Sequence, residues 1–328
     1  MIITQQALLA LRTSASTIFN AAFAAVEPKY KEIAMVVPSS SKSNTYSWLG
    51  KMPKFREWFG SRVYNDVKEY GYTITNKKFE NTVSVERDDI EDDLLGTYTP
   101  LFSDLGKEAA QFPDELVFGA LRDGFKNLCY DKRPFFSKSH PVYIKHDAEG
   151  KDGIGESTAV SNILVDDKYT GNTWYLLDTS KAVKPIIYQT RRDPSFVAKT
   201  DTKDEKVFEE GVYVFGCDMR CNAGYGFWQM AVAVKAELNA ENLKKARAMM
   251  RAFKADGGKS LGVKPTLLVV PVSLEDIAES LLSRDLTVET VPVQTGVDAA
   301  GNAIISQQSV SVSNDMKNKV KLLVSEFL

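Results

Sequence analysis

Short alternating patterns and longer helical ones follow each other along the chain. Apolar and polar residues alternate over 72–79 and 82–86, which predicts strands. Between Leu101 and Leu128 an apolar residue returns every three or four positions, which predicts a long helix with one apolar face. Pro113 lies inside this pattern, so we expect a kink or two helices end to end.

Both ends of the chain show clear elements. The first 27 residues are spaced as in one or two short amphipathic helices, and Pro28 would end them. Asn239 is placed to cap a helix that Gly257 and Gly258 would close. Strands are predicted at 174–178, 184–189, 195–199, 266–271 and 319–326, together with a strand pair (212–216 and 227–234) and a hairpin within 287–313. Residues 129–163 are expected to be mostly loop.

Aromatic and basic residues alternate in one segment near the N-terminus. They are Tyr46, Trp48, Phe55, Trp58 and Phe59, with Lys51, Lys54, Arg56 and Arg62 between them. Such a mixture can bind single-stranded nucleic acid by stacking, can anchor a protein interface, or can form a small core. The residues alone leave these three interpretations open.

Catalytic signals are weak. Ser137 and His140 lie close in sequence, so a soluble hydrolase is one alternative, but no Gly-x-Ser-x-Gly turn frames either serine. A structural hydrogen bond is the better interpretation of His140. Cys217 and Cys221 have no second Cys/His pair to complete a zinc site. We therefore assign no catalytic residue, metal or cofactor.

Composition narrows the class of protein. The 328 residues are 44% hydrophobic and 26% charged with a formal net charge of −2, which is ordinary for a globular chain and gives no sign of a dedicated nucleic-acid binder. No signal peptide or membrane-spanning run is visible. Three cysteines give no disulfide framework and fit a reducing cytoplasm.

The order of an N-terminal segment, an extended loop, a long helix and mixed α and β elements resembles the major capsid proteins of tailed phages with the Hong Kong 97-type fold. Within that group, several blocks look like the Mu-like head subunits. These blocks include residues 33–37 (IAMVV), 43–46 (SNTY), 48–50 (WLG), 113–116 (PDEL), 140–143 (HPVY), 175–178 (YLLD), 223–235 (AGYGFWQMAVAVK) and 261–266 (LGVKPT).

The resemblance implies an α+β fold of defined parts. These are an N-terminal arm (1–43), an extended loop or E-loop (44–87), the spine helix with part of the peripheral (P) domain and a long loop (88–173), axial (A) domain strands (174–192), P-domain strands (193–237), and the rest of the A domain with the C-terminal strand (238–328). It further implies a permuted order of A- and P-domain segments. That permutation would place Leu328 near residues 165–173, and Ile163 near Leu238.

The resemblance also implies the function. The chain would be a structural protein, not an enzyme, that assembles as pentamers and hexamers into the icosahedral shell around phage double-stranded DNA. Its partners would be its own copies, scaffold and portal proteins, a decoration protein, and packaged DNA touched non-specifically, with no membrane. It would lie in the virion capsid, and in the host cytoplasm during assembly. Predicted inter-subunit contacts are Trp48, Phe55, Arg56, Trp58, Phe59 and Arg62.

Overall fold

The computed structural model describes residues 5–49, 71–92, 97–146, 152–201, 203–297 and 303–328. Its α-helices are α1 (Gln5–Ala25), α2 (Tyr30–Ile33), α3 (Arg87–Asp92), α4 (Thr99–Arg122), α5 (Glu205–Glu210), α6 (Ala240–Arg251) and α7 (Glu275–Ser283). Short 3-10 turns lie at Asp123–Phe125, Trp228–Met230, Asp256–Gly258 and Val272–Leu274. None of the helices in these ranges combines the length and apolar character needed to cross a membrane.

The strands form two larger sheets and three hairpins. In chain order they are β1 (Ala34–Pro38), β2 (Ser43–Tyr46), β3 (Tyr72–Thr75), β4 (Lys77–Glu86), β5 (His140–His146), β6 (Asp152–Val160), β7 (Ile163–Val165), β8 (Trp174–Leu177), β9 (Ile186–Lys199), β10 (Val212–Tyr225), β11 (Ala231–Lys235), β12 (Leu267–Pro271), β13 (Leu286–Val297), β14 (Ala303–Ser313) and β15 (Lys321–Ser325). The two-stranded units are β2–β3, β5–β6 and β13–β14.

The four-stranded sheet has the order β1-β9-β10-β4 and carries the long helix on one face. Buried and partly exposed residues alternate along β10, as expected for a strand with one covered face. Phe102 of α4 packs on Phe215 of β10 with ring centroids 4.8 Å apart, and Phe112 packs on Phe79 of β4 at 4.6 Å. The predicted apolar stripe of α4 therefore faces this sheet.

The five-stranded sheet has the order β15-β12-β8-β11-β7. β8, β12 and most of β11 are buried on both faces, which explains why these strands are continuous apolar runs. One apolar cluster joins this sheet to α4 and to part of the four-stranded sheet. A smaller cluster beneath α1 includes Leu11, Ala15, Phe102 and Phe215.

The predicted long helix is confirmed, and Pro113 does not divide it. α4 runs continuously from Thr99 to Arg122 and ends in the 3-10 turn at 123–125, earlier than Leu128. Pro113 is buried within α4. The stability gained from tertiary packing of the helix exceeds the cost of the one backbone hydrogen bond that proline cannot donate.

Four local predictions were wrong. The helix capped by Asn239 ends at Arg251, before Gly257 and Gly258. The separate strands expected at 184–189 and 195–199 are one strand, β9. The pair expected around 222–226 is not a hairpin, because β10 pairs with β9 and β4 whereas β11 belongs to the other sheet. Part of the loop expected at 129–163 consists of the paired strands β5 and β6, and the polar sequence of β6 concealed the pairing.

The strand order does not confirm the predicted permutation. Ile163 pairs with Ala233, on the strand that leads toward Leu238. However, β7 and the C-terminal strand β15 occupy opposite edges of the five-stranded sheet. β9 also crosses the domain boundary expected at 192/193, and β11 pairs with β8, a strand assigned to the A domain.

Candidate assembly surfaces

The predicted extended loop contains the paired strands β2 and β3. Ser43 to Tyr46 pair with Thr75 to Tyr72, so the two arms of the loop are held side by side at their base. Ile74 of β3 is buried against β10, and a side-chain Cβ added at Gly224 would collide with it. A glycine at this position therefore lets the hairpin approach the sheet closely.

A buried polar cluster centred on Gln189 fixes the same base. The Tyr46 hydroxyl donates to Gln189 Oε1 at 2.8 Å. Gln189 Nε2 donates to the Ile74 carbonyl at 3.2 Å and to Asn76 Oδ1 at 2.7 Å. Asn76 Nδ2 in turn donates to Ser39 Oγ at 2.9 Å. The side-chain amide of Gln189 is thus hydrogen-bonded to groups within the protein, and these bonds tie β9 to both arms of the loop.

Trp48 lies just beyond the hairpin, and 36% of its surface is exposed. Its ring makes edge contacts with Tyr46 at 6.0 Å and with Phe227 at 6.2 Å. Phe227 contacts Tyr130 at 5.9 Å, and burial raises the pKa of the Tyr130 hydroxyl well above its ordinary value. Trp48 is thus anchored to its own chain, and part of its ring stays exposed. The other predicted contacts (Phe55, Arg56, Trp58, Phe59 and Arg62) lie outside the described residues.

α1 packs along α4 of the same chain. A Cβ at Gly106 would collide with the Phe19 carbonyl oxygen, so the two helix backbones touch at this glycine. Phe19 also packs on Phe196 of β9 at 5.3 Å. The N-terminal segment is therefore a single helix over Gln5–Ala25, and it packs on its own chain.

Asp114 ties the segment after α1 to the long helix. Its carboxylate accepts the Tyr30 backbone N–H at 2.6 Å and the Lys29 N–H at 3.1 Å. Burial raises the pKa of Asp114, and the two N–H groups offset part of that rise. The N-terminus of the short helix α2 is thus satisfied by a side chain of α4.

Comparison with known proteins identifies this architecture. Residues 8–328 match the family described as Mu-like prophage major head subunit gpT. The chain belongs to this family. It is 47% identical to the major capsid protein of Escherichia phage Mu over 328 residues, which is 100% of both chains.

Two solved structures show the same fold. The procapsid of bacteriophage JBD30 contains a chain that is 43% identical and superposes with a TM-score of 0.78, over 99% of this chain and 100% of that one. The capsid of JBD30 decorated with minor capsid protein trimers gives 31% identity and a TM-score of 0.69, over 92% and 90%. The predicted capsid fold and function are confirmed: this head subunit is a structural protein of an icosahedral virion shell, in a family of capsid proteins rather than enzymes.

His140 of the head subunit is part of a buried structural cluster. Its ring is fully buried and stacks on Trp228 with centroids 4.1 Å apart. Nδ1 lies 2.6 Å from Asp131 Oδ2, while Asp131 Oδ1 accepts the Cys129 thiol at 3.1 Å and the Arg133 N–H at 3.0 Å. Burial alone would raise the pKa of Asp131, but the hydrogen bond and charge of His140 hold it below its usual range.

This cluster does not form the suggested hydrolase site. Ser137 Oγ accepts the Ser139 backbone N–H at 3.2 Å, so it caps its own turn. The Cys129, Asp131 and His140 donor atoms all lie within 4.8 Å of one another, a spacing a metal ion could use. Both carboxylate oxygens of Asp131 already accept hydrogen bonds. The pKa of the Cys129 thiol is raised, chiefly by burial, which disfavours the thiolate that a metal ion would bind. The three residues are therefore explained as a hydrogen-bonded structural unit.

Sequence analysis missed Gln189, Asp114 and Gly106 as positioning residues of the head subunit. Gln189 had one signal, since it is a lone amide in the apolar run Ile186-Ile-Tyr-Gln189. Asp114 is likewise a carboxylate within an apolar stripe. A polar residue inside a buried pattern requires a partner, but the sequence does not say which one.

Proposed function

We propose that the head subunit assembles as pentamers and hexamers. We further propose that the part of its extended loop (44–87) between β2 and β3 lies on an adjacent subunit, while β3 and β4 belong to the body of their own chain. Trp48, Phe55, Arg56, Trp58, Phe59 and Arg62 then make the inter-subunit contacts. The aromatic rings bury apolar area on the neighbour, and the two arginines pair with carboxylates across the interface.

The observation that carries this proposal is the fixed base of the loop. Gln189 ties both arms of the loop to the sheet, and Trp48 packs on Phe227 without being fully covered. A loop whose base is held rigidly loses less conformational entropy when its outer part docks. In the sequence, the partly exposed Trp48 is followed by the aromatic and basic residues of the same segment.

Further partners follow from the same function. Scaffold and portal proteins guide assembly, and packaged DNA touches the inner face non-specifically. The JBD30 capsid carries minor capsid protein trimers, and a similar decoration protein is the corresponding partner here. The net charge of −2 supports weak contacts with DNA, because tight phosphate binding needs clustered basic residues.

Trp58→Ala tests the loop contact. We expect the isolated subunit to keep its circular dichroism spectrum and melting temperature, while the yield of particles falls at least tenfold. A central aromatic anchor contributes about 2 kcal/mol or more per contact, and a shell repeats the contact many times. Particle yield is measured by sedimentation and electron microscopy.

Trp58→Phe is the matched control, because it keeps an aromatic ring at the same position. It should assemble close to wild type. Particles of Trp58→Ala with normal yield and normal thermal stability would contradict the proposed anchor. A wild-type chain that forms no large particles, even with its scaffold, would contradict the proposed assembly as a whole.

A further inference from the structure

The β13–β14 hairpin projects from the fold without a core of its own. Within the described residues the two strands pair only with each other, over an eleven-residue register from Leu286↔Ser313 to Val297↔Ala303. No residue from 306 to 313 is buried. Leu286 and Val288 of β13 are 58% and 66% exposed, and Val310 of β14 is 38% exposed. An isolated two-stranded ribbon of this kind is marginally stable in water.

The base of the ribbon is clamped to the body. Asn314 Nδ2 donates to the Leu281 carbonyl at 2.8 Å and to the Arg284 carbonyl at 2.9 Å. The Asn314 backbone N–H donates to the Asp285 carbonyl at 2.9 Å, and Lys317 forms an ion pair with the Asp285 carboxylate. These bonds hold the base of the ribbon against the C-terminal end of α7 and so fix its orientation there.

The two edges of the ribbon differ in their protection against another strand. β13 contains Pro292, which has no N–H to offer, and a bulge between Gln294 and Gly296. β14 has neither a proline nor a register shift, and residues 303–313 (AIISQQSVSVS) contain no charged side chain. Soluble proteins usually guard a free edge with lysine, proline or a bulge. β14 lacks all three over its whole length.

We propose that the free edge of β14 pairs with β14 of a second copy of this chain across a two-fold contact, which gives a four-stranded sheet β13-β14-β14-β13. This inference rests on the proposed self-assembly and names one of its contacts. A strand edge is self-complementary when its copy runs antiparallel, and a two-fold axis produces that orientation. The guarded edge of β13 excludes the alternative ring in which β14 of each copy pairs with β13 of the next.

The second copy is the occupant that the residues favour. β14 offers uncharged serine, glutamine and valine side chains, which stack well against the same side chains from an identical strand. A strand with neither charge nor proline provides no electrostatic selection for a different partner. In a shell, moreover, every ribbon is present at the same high local concentration as its copies.

Single cysteines test the pairing directly. Gln308 lies at the middle of β14 and is exposed, so Gln308→Cys meets its own copy near a two-fold axis. Val288→Cys is the matched control, because Val288 is exposed on the same ribbon but lies on β13, the strand whose edge carries the proline and the bulge. Cys129, Cys217 and Cys221 are buried and leave little background reaction.

Purified particles are treated with a short bifunctional maleimide and run on a denaturing gel. We expect most Gln308→Cys chains to run as a covalent dimer, while Val288→Cys and wild type remain monomeric. Cysteines at Gln307 and Ser309 extend the scan to neighbouring registers.

Particles in which no position from 307 to 309 gives a dimer would overturn the β14 contact. Equal dimer formation by Val288→Cys, or cross-linking only to an added minor capsid protein, would also overturn it. Because cross-linking is scored in the particle fraction, a failure to form particles contradicts the proposed assembly, and particles without dimers contradict this contact alone.

Discussion

At the scale of single residues, buried polar groups set the geometry of this head subunit. Gln189 joins Tyr46, Ile74 and Asn76 from the two arms of the loop. Asp131 joins Cys129 and His140 beside Trp228. Each polar residue lies among apolar neighbours, so its hydrogen bonds have no water to replace them.

Gln189→Ala should loosen the base of the loop. The Tyr46 hydroxyl and the Ile74 carbonyl would lose their partner, at about 1–3 kcal/mol for each buried group left unpaired. We expect a lower midpoint in urea unfolding of the isolated subunit. Gln307→Ala, at an exposed position on β14, is the control and should leave the midpoint unchanged. A Gln189→Ala midpoint equal to wild type would show that the cluster contributes no stability.

Asp131 should contribute stability that depends on pH in a defined direction. Its pKa is lowered in the folded chain, so its contribution is present above the unfolded value of about 3.9 and is lost as pH falls through the folded value. The difference in unfolding free energy between wild type and Asp131→Asn should therefore be largest near neutral pH and shrink in acid. Urea titrations at several pH values measure it.

Asp114 provides a control of opposite sign. Burial raises its pKa, so its contribution is fully present below the unfolded value and is lost as pH rises through the folded value. The difference between wild type and Asp114→Asn should shrink as pH rises. If the two variants show the same trend with pH, the assignment of the two carboxylates is wrong.

At the scale of elements, the contact between α1 and α4 depends on one glycine. Gly106→Ala places a Cβ against the Phe19 carbonyl oxygen, and backbone cannot move aside as a flexible side chain can. We expect the variant to lose about 1–3 kcal/mol of stability, as overpacking usually costs. Differential scanning calorimetry of the subunit measures the loss.

Gly119→Ala in the same helix is the matched control. The nearest heavy atom to its Cβ is Arg122 Nη2, at 3.9 Å. This substitution should gain up to about 1 kcal/mol from helix propensity. Equal effects of the two alanines would mean that α1 does not rest on α4 in solution.

Features that depend on local spacing could be predicted from the sequence, whereas pairings between distant strands could not. The period of α4, the Asn239 cap and the 287–313 hairpin depend on local spacing, and the structure confirms them. The pairing of β10 with β4 and β9 rather than β11 depends on contacts between distant segments. Local periodicity cannot choose among strands with similar apolar patterns, and the bulges between β9 and β10 obscure the alternation further.

At the scale of the whole molecule, one apolar core spans both sheets. Residues of α4, β8, β9 and β12 all belong to it. The expected division into P and A domains is therefore not a division into separate cores. The fold was predictable because many short blocks in a fixed order resemble one family, whereas the partners of Gln189 and Asp114 were not, because they come from distant parts of the chain.

The packing of α1 on α4 has a consequence for the timing of assembly. Phe19 and Ala15 are almost fully covered within the same chain, so a newly made subunit does not display this apolar stripe to the crowded host cell. Chains can accumulate without sticking to one another through it. The contacts that start shell assembly must then come from other surfaces of the subunit.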